Sequence, residues 1–330
     1  MITRLKRYNQ IAKVLVKYGF GIILDQLYPE VSRPDFLRKK GEHEESIVYT
    51  RIRMAIEELG PTFVKLGQMM STRRELFPPP LIEELLKLTD DVPALPFQKV
   101  KTVIEEICGP ISETFQSFEE DAFAGASLSQ VHRATLMDGS TVAVKVQRPG
   151  IREIIEVDLK ILESMAERIE TTFQYLRMYN PIGIVQEFSV QIRKELDFVR
   201  DGKNADRISK NMKNISGVRA PKIIWEYSGS RVLVMEYIKG VRVDDVDAIR
   251  ELGIDLKEIS EKGFAAYLNQ ILVDGFFHGD PHPGNLMVTP DGELVLLDFG
   301  NVGIIRPDRR DEFMRVLYAI VNSDVEMFLG

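Results

Sequence analysis

The stretch FHGDPHPGNLMV, residues 277–288, places two histidines, an aspartate and an asparagine in a run rich in glycine and proline. This composition predicts a rigid loop, because proline fixes φ and removes a backbone donor. One interpretation is a metal site built from His278, Asp280 and His282, although this spacing requires an extended strand, and Pro281 within the group and Pro283 directly after it disfavour one. The other is a phosphoryl-transfer loop in which Asp280 and Asn285 carry the chemistry.

The phosphoryl-transfer interpretation predicts a second signature downstream, because such loops are followed by a short hairpin that ends in Asp-Phe-Gly. VTPDGELVLLDFG contains the hairpin signal Asp-Gly and ends in Asp298-Phe299-Gly300. In this interpretation Asp280 lies beside an acceptor or an attacking water, while oxygens of Asn285 and Asp298 hold Mg²⁺. The histidines of the loop are then structural and bond backbone groups.

Two stretches upstream resemble other parts of a kinase. VAVK, residues 142–145, resembles the strand whose lysine, here Lys145, grips the nucleotide phosphates. VLVMEYIKG resembles the strand that leads into a kinase hinge, with Met235 as gatekeeper and the backbone of Glu236 and Ile238 placed to bond adenine. Each piece alone is common, but their order along the chain indicates an ATP site.

Three further motifs distinguish the chain from ordinary protein kinases. FAGASLSQVHRA replaces the glycine-rich phosphate loop, LGPTFVKLGQMMSTR carries a K-x-G-Q motif, and KELDF carries an E-x-D motif. Together with HGDPHPGN, these motifs resemble those of the UbiB (AarF) family of atypical kinase-like proteins, and the resemblance covers essentially the whole chain. The residues concerned are Ala124, Gly125, Ala126 and Ser127 of the alanine-rich loop, Lys65, Gly67 and Gln68 of K-x-G-Q, and Glu195 and Asp197 of E-x-D.

The resemblance implies an α+β, protein-kinase-like fold with a small β-rich N-lobe and a helical C-lobe. We expect an N-terminal helical extension with the K-x-G-Q motif over residues 1–117 and an N-lobe with a helical insertion over residues 118–240. We expect the C-lobe over residues 241–330. We also expect it to be incomplete, because only 30 residues follow Gly300.

The resemblance also implies an activity and roles for single residues. The expected activity is that of a lipid-coupled ATPase or phosphotransferase using Mg-ATP in support of isoprenoid-quinone biosynthesis, with quinone precursors or quinone-biosynthesis proteins as partners. Lys145 is expected to hold phosphates and to pair with Glu195. The K-x-G-Q helix is expected to cover the protein-substrate groove, with Lys65 and Gln68 over the nucleotide near Glu195 and Asp197 as gating residues.

Two other function classes remain open from the sequence. One is a small-molecule phosphotransferase of the aminoglycoside or choline kinase type, whose catalytic loop also resembles HGDxHxxN but which lacks the K-x-G-Q helix and the alanine-rich loop. The other is a noncatalytic nucleotide-binding scaffold. The presence of both Asn285 and Asp298 favours catalysis, because a scaffold does not need two magnesium ligands.

Composition and charge exclude several classes. The 330 residues are 44% apolar, enough for a sizeable core, and the net charge of -7 disfavours a nucleic-acid partner, which would require a basic surface. The single cysteine, Cys108, excludes a disulfide framework and indicates a reducing compartment. Without a signal peptide or an apolar run of about 20 residues, we expect a cytoplasmic protein, or one peripheral on the inner face of the membrane.

The N-terminal residues 1–24 combine five basic side chains with apolar residues at helical spacing, and they contain no acid. Such a helix either lies on an anionic lipid surface or packs its apolar face on its own domain, and the sequence leaves both open. Farther along, period-two alternation predicts strands over residues 118–146, and helical spacing predicts helices from Ile151 to about Lys210. PKIIWEYSG and SRVLVMEYIKG read as a strand pair, and a helix is predicted from about Leu256 to Gly275.

Overall fold

The computed structural model describes residues 4–27, 45–89 and 92–321. Contacts divide the chain into two units, each assembled from separated segments. The first unit comprises Met1–Val100, Asp121–Gln130 and Gln147–Leu196, and the second comprises Lys101–Glu120, Val131–Val146 and Asp197–Gly330.

Helices account for most of the described chain. Several begin where the sequence signals a start, since Pro61, Pro79 and Pro181 occupy the first turn of their helices, where the missing N–H costs nothing. The helices are α1 (Arg4–Lys17), α2 (Gly21–Leu27), α3 (Glu45–Leu59), α4 (Pro61–Ser71), α5 (Pro79–Leu85), α6 (Phe97–Cys108), α7 (Ile111–Thr114), α8 (Ile151–Thr172), α9 (Pro181–Glu195), α10 (Phe198–Asn211), α11 (Val246–Glu251), α12 (Leu256–Leu268) and α13 (Pro307–Val321).

The strands are short and concentrated in the second unit. They are β1 (Phe115–Phe118), β2 (Ala124–Gly125), β3 (Ser129–Leu136), β4 (Thr141–Gln147), β5 (Val218–Arg219), β6 (Val232–Glu236), β7 (Val241–Arg242), β8 (Phe276–His278), β9 (Leu286–Val288), β10 (Leu294–Leu296) and β11 (Val302–Ile304). In the first unit, β2 pairs with the start of β3.

The first unit has a helical core, and α1 belongs to it. Ile11 and Val14 of α1 are buried in one cluster with Leu59 of α3, Leu159 of α8 and Phe188 of α9. The apolar face of α1 therefore packs on its own unit, which is the second of the two arrangements left open by the sequence. Its charged face, by contrast, remains largely exposed.

A buried ion pair and its hydrogen bonds join four helices of this unit. Arg7 of α1 donates from Nε to Asp158 of α8 at 2.6 Å, and both side chains are almost fully buried. The same guanidinium donates to the carbonyl of Leu59 at 2.7 Å, and the hydroxyl of Thr62, at the start of α4, donates to Asp158 at 2.7 Å. Such a pair is tolerated inside a protein only when further hydrogen bonds satisfy both groups, as they do here.

The largest sheet of the second unit contains β1, β3, β4 and β6 in that order. Antiparallel pairing of β4 with β6 places Lys145 opposite Leu233. Between β3 and β4 the chain turns at Asp138 and Gly139, where Gly139 has φ +85°, a value that glycine adopts without steric cost. The hairpin predicted from this Asp-Gly pair is present.

The prediction of a strand pair at residues 221–240 is only half correct. SRVLVMEYIKG contains β6, but PKIIWEYSG forms one isolated bridge, between Ile223 and Met235, and then a 3₁₀ turn at Trp225–Tyr227. The two segments do lie side by side, since the N–H of Ile224 donates to the carbonyl of Val234 at 2.8 Å, but the 3₁₀ turn interrupts a regular ladder. The second predicted Asp-Gly hairpin is present, with Leu294 of β10 opposite Val288 of β9.

Short elements of the second unit flank the loop in residues 277–288. Helix α12 continues as a π-helical turn over Asn269–Asp274, and β8 follows at once and pairs antiparallel with β11. Among the described residues, no helix combines the length and apolar character needed to cross a membrane.

Candidate active site

Lys145 lies at the centre of a charged cluster in the second unit. Its Nζ is 2.9 Å from Oδ2 of Asp201 on α10 and 3.2 Å from Oδ2 of Asp298. Burial opposes the charge of the ammonium group, but the two carboxylates outweigh this and raise the pKa of Lys145. The lysine is therefore held charged next to Asp298.

The acid that pairs with Lys145 is Asp201, in place of the predicted Glu195. Oδ1 of Asp201 also accepts the backbone N–H of Phe299 at 2.8 Å, so one carboxylate connects β4 to the Asp-Phe-Gly segment. Burial raises the pKa of Asp201, the charge of Lys145 lowers it, and the nearby Asp298 raises it further, with a net upward shift. Asp201 follows Asp197 by one helical turn, and this i, i+4 spacing in KELDFVRD was the only sequence signal for it.

Asp298 has a backbone conformation that is rare for a residue with a side chain. Its φ is +52°, in the left-handed region, and its side chain is 51% exposed. Oδ1 accepts the N–H of Gly300 at 3.2 Å, while the ring of Phe299 is buried and packs edge-on against His278 at 5.4 Å. Non-glycine residues hold such values when their surroundings fix them, often at functional sites.

The loop after β8 brings Asp280 and Asn285 together. Nδ2 of Asn285 donates to the main-chain oxygen of Asp280 at 3.1 Å and to its Oδ2 at 3.2 Å. Because the amide nitrogen is engaged in this way, Oδ1 of Asn285 is the atom that remains for a cation. The loop is held by a 3₁₀ turn at Pro283–Asn285.

The histidines of the loop bond backbone groups. His278 is fully buried; its Nδ1 accepts the N–H of Asp280 at 3.2 Å, and its Nε2 lies 2.9 Å from the carbonyl oxygen of Leu297. These two bonds require the Nε2–H tautomer and connect the Asp280 loop to the residue before Asp298. His282 accepts the N–H of Gly284. Within residues 4–27, 45–89 and 92–321, no group of three acidic, histidine or cysteine side chains could hold a metal, so the alternative built on the two histidines is not supported.

The predicted hinge follows β6 in the same unit. The N–H of Glu236 donates to the carbonyl of Lys222 at 2.8 Å, and its carboxylate is 2.8 Å from Arg219. Ile238 is buried, and its N–H donates no hydrogen bond within the described part of the chain.

The K-x-G-Q motif lies on α4 in the first unit, where its residues have separate partners. Nζ of Lys65 is 2.6 Å from Oε1 of Glu195, at the end of α9. Nε2 of Gln68 donates to the carbonyl of Leu88 at 3.3 Å. A Cβ on Gly67 would lie 2.4 Å from Cδ1 of Leu88, so this position admits only glycine unless Leu88 moves. Asp197, by contrast, belongs to the second unit, where it caps α10 by accepting the N–H of Arg200.

The alanine-rich loop of the first unit begins at β2. The N–H of Ala126 donates to the carbonyl of Ser129 at 2.8 Å, which closes a tight turn. The hydroxyl of Ser127, a residue only 2% exposed, has no hydrogen-bond partner among the described residues. A buried hydroxyl without a partner is uncommon and costs stability.

Comparisons with known proteins cover most of the chain. The profile of the ABC1 atypical kinase-like domain matches residues 87–329. Relatives include an uncharacterized protein of Synechocystis, 40% identical over 281 residues, the chloroplastic protein ACTIVITY OF BC1 COMPLEX KINASE 7 of Arabidopsis thaliana, 41% identical over 276 residues, and a probable protein kinase UbiB of Marinobacter nauticus, 40% identical over 279 residues.

These three matches cover 84%, 83% and 83% of this chain but 48%, 40% and 51% of the relatives. The chain therefore spans about half the length of the curated relatives it matches. Among solved structures, the complex of Rv3197 with erythromycin from Mycobacterium tuberculosis is similar with a TM-score of 0.57 and 29% identity, over 80% of this chain and 66% of that chain.

Proposed function

This chain belongs to the ABC1 atypical kinase-like family, and from that premise we propose that it binds Mg-ATP and either hydrolyses it or transfers its γ-phosphoryl group to a small acceptor. Its mixed α+β structure is kinase-like. Relatives named probable protein kinase UbiB support an atypical kinase whose activity serves ubiquinone-related metabolism.

The observation that carries this proposal is the bonded path from Lys145 to Asp280. Lys145 pairs with Asp298, and His278 bonds both Asp280 and Leu297, the residue before Asp298. A phosphoryl-transfer site needs a cation on the phosphates, oxygen ligands for magnesium and a carboxylate beside the acceptor, all held before the reaction begins. This path connects one residue of each kind.

The residues fit the roles that Mg-ATP requires. Asp298 and Oδ1 of Asn285 supply carboxylate and amide oxygens, the ligand types that magnesium prefers. The ion, when bound, would neutralise charge on the phosphates. Asp280 would accept the proton of a hydroxyl acceptor or orient a water, while Lys145 would release part of its contact with Asp298 to reach a phosphate.

The remaining nucleotide-binding roles are proposed from the motifs. The backbone at Glu236 and Ile238 would bond adenine. Ala124, Gly125, Ala126 and Ser127 would line the phosphates, where the Ser127 hydroxyl would gain the partner it lacks among the described residues. Lys65 and Gln68, with Glu195 and Asp197, would regulate access.

The acceptor and the partners are proposed from the family. We favour a quinone precursor, with anionic lipid or quinone-biosynthesis proteins as partners. The family match disfavours both a small-molecule phosphotransferase of the aminoglycoside or choline kinase type and a scaffold. The Asp298 conformation and its Lys145 pair also fit catalysis better than simple binding.

Two substitutions test the assigned roles. Asp280→Asn should lower ATP turnover about a hundredfold and leave nucleotide affinity nearly unchanged, because only the acid–base group is lost. Asp298→Asn should weaken Mg-ATP binding, because one negative charge leaves the metal shell. Turnover is measured by ADP release, and affinity by thermal-shift titration with and without magnesium.

The control is Asp291→Asn, since Asp291 lies exposed in the turn between β9 and β10 and should give wild-type values. Equal losses of turnover and affinity in Asp280→Asn would reassign that residue to structure or metal binding. An unchanged magnesium dependence in Asp298→Asn would contradict its role as a ligand.

A further inference from the structure

Residues 92–95 lie along the alanine-rich loop in the first unit, and we call this segment the strap. Arg148, just after β4, bonds both. Its Nη2 donates to the carbonyls of Val92 at 3.1 Å and Pro93 at 3.0 Å, and its Nε donates to the carbonyl of Ala126 at 2.9 Å. One guanidinium therefore connects the strap to the loop proposed to hold phosphates.

A second side chain fixes the other end of the strap. Gln130 is fully buried; its Oε1 accepts the N–H of Leu95 at 2.8 Å, and its Nε2 donates to the carbonyl of Leu95 at 3.1 Å. The side-chain amide of Gln130 therefore satisfies both backbone groups of Leu95, as a neighbouring strand would.

Gly125 is where strap and loop approach most closely. A Cβ at this position would lie 2.4 Å from the carbonyl oxygen of Val92 and 3.4 Å from the nitrogen of Ala94. The first distance is too short for any real contact, and the obstacle is backbone, which cannot rotate away as a side chain can. The sequence FAGAS therefore contains a glycine here because the strap occupies the space of a side chain.

The strap is also connected to α4. Gly67 and Gln68 of the K-x-G-Q motif both lie against Leu88. The Leu88 side chain occupies the space that a Cβ on Gly67 would need, and Nε2 of Gln68 donates to the Leu88 carbonyl. Leu88 precedes the strap by only four residues. The contacts of α4 with Leu88 therefore lie, in sequence, four residues from the segment that bears on Gly125.

Arg148 brings a positive charge to the loop as well as hydrogen bonds. Among the described residues, no carboxylate pairs with its guanidinium, and all its acceptors are carbonyl oxygens. Desolvation lowers the pKa of Arg148, which remains charged at any physiological pH. A guanidinium whose partners within residues 4–27, 45–89 and 92–321 are all carbonyl oxygens favours a polyphosphate on the loop.

We propose that the strap positions the alanine-rich loop for nucleotide phosphates, with Arg148 and Gly125 as positioning residues. The K-x-G-Q helix then acts on the loop through Leu88 and the strap, in addition to the pair between Lys65 and Glu195. Only the expected effect on nucleotide binding rests on the proposed function. The connection between strap and loop is a separate property that can be measured without nucleotide.

Hydrogen exchange without nucleotide tests the connection itself. In Arg148→Gln and Gly125→Ala, amide exchange should rise about tenfold in peptides covering residues 92–97 and 122–130, because the bonds that hold Leu95 and Ala126 loosen together. Peptides of α8 and α9 should keep wild-type rates. Arg148→Lys retains the charge but cannot bridge three carbonyls, so it should resemble Arg148→Gln.

The controls are Arg168→Gln, which removes a comparable bond from an arginine to the carbonyl of Leu27, and Asp121→Asn, which changes one exposed side chain just before the alanine-rich loop. Both should leave exchange in the two peptides unchanged. Wild-type exchange in Arg148→Gln, or a rise spread evenly over the first unit, would overturn the proposal.

A double-mutant cycle tests the path from α4. If Gln68 acts through the strap, Gln68→Ala and Arg148→Gln should each raise exchange at residues 122–130, and the double variant should raise it by less than the product of the two. Multiplicative effects would overturn the coupling.

Binding of a fluorescent ATP analogue then separates the two proposals. Weakening of about threefold to tenfold in Arg148→Gln and Gly125→Ala, without a change in the two controls, supports the positioning role. Unchanged affinity despite loosened exchange would overturn that role. If the wild-type chain bound no nucleotide while exchange responded as expected, the nucleotide function would fail and the structural connection would stand.

Discussion

At the scale of single residues, the most informative side chain is Asp201, which connects two groups that must be aligned. It pairs with Lys145 through Oδ2 and accepts the N–H of Phe299 through Oδ1. Its raised pKa, due first to burial, means that it takes up a proton more readily in the folded chain than in the unfolded one. The stabilisation from that proton is present below the unfolded pKa and is lost as pH rises through the folded value. In its ionised form Asp201 thus aligns the site without adding much stability.

We therefore predict that Asp201→Asn separates activity from stability. The neutral amide still accepts the Phe299 N–H, so the free energy of unfolding at neutral pH should change by about 1 kcal/mol or less. ATP turnover should fall about tenfold or more, because Lys145 loses one of its two acids and its position. Urea unfolding and ADP release measure the two effects.

Asp206→Asn is the matched control, because Asp206 lies exposed on the same helix and its partner, Trp225, can still donate to an amide oxygen. Its turnover should equal that of the wild type. A large loss of stability in Asp201→Asn with turnover retained would show that Asp201 is only a structural ion-pair partner.

The sequence predicted several single residues but not their exact partners. Residue type and order indicated Lys145, Asp280 and Asp298, and the structure joins them by a path of bonds within one unit. The partner of Lys145 was missed because a family motif directed attention to Glu195. Which acid reaches a lysine depends on where a helix begins and which face it buries, and these are set by packing that a motif does not encode.

At the scale of elements, α4 is held at three points along its length. Thr62 bonds Asp158, Lys65 pairs with Glu195, and Gln68 bonds the carbonyl of Leu88. The first of these is the most buried, since Asp158 and its partner Arg7 are nearly inaccessible. The start of α4 is therefore connected to α1 through a hydrogen bond to a buried ion pair.

We predict that Asp158→Asn lowers the free energy of unfolding by about 3–5 kcal/mol, because the buried Arg7 loses its counter-charge. The double substitution of Arg7→Met with Asp158→Leu should recover much of that loss, since no unpaired charge remains. Urea unfolding followed by circular dichroism gives both values.

Glu58→Gln provides the comparison, because it breaks an ion pair to Lys17 that is largely exposed and should leave stability nearly unchanged. A loss in Asp158→Asn as small as in Glu58→Gln would show that water reaches the Arg7 site.

Whole elements were easier to predict than their pairing. Both Asp-Gly hairpins and the helices between residues 151 and 211 follow from local turn chemistry and periodicity. PKIIWEYSG reads as a strand from its apolar content, yet it forms only one bridge and separate backbone hydrogen bonds to β6, without a regular ladder. Strand formation depends on a partner elsewhere in the chain, and a local pattern contains no information about that partner. The expected lobe boundaries, including an incomplete C-lobe, remain predictions.

At the scale of the molecule, charge is distributed unevenly. The whole chain carries a net charge of -7, yet α1 contains Arg4, Lys6, Arg7, Lys13 and Lys17 and no acid. Because Ile11 and Val14 of α1 are packed on its own unit, a membrane contact through this helix would be made mainly by its exposed basic side chains. Such a contact is electrostatic and should weaken as salt screens it.

We predict that the chain binds phosphatidylcholine vesicles only when they contain phosphatidylglycerol, and that added salt releases it. Lys6→Gln with Lys13→Gln should weaken binding about thirtyfold, since each basic residue near an anionic surface contributes about 1 kcal/mol. Vesicle co-sedimentation measures the affinity.

Lys99→Gln with Lys257→Gln removes the same charge from exposed positions outside α1 and should bind like the wild type. If both pairs weakened binding equally, overall charge rather than the face of α1 would govern the contact. If neither pair changed it, α1 would be a structural helix only, and lipid coupling would have to come from elsewhere in the chain.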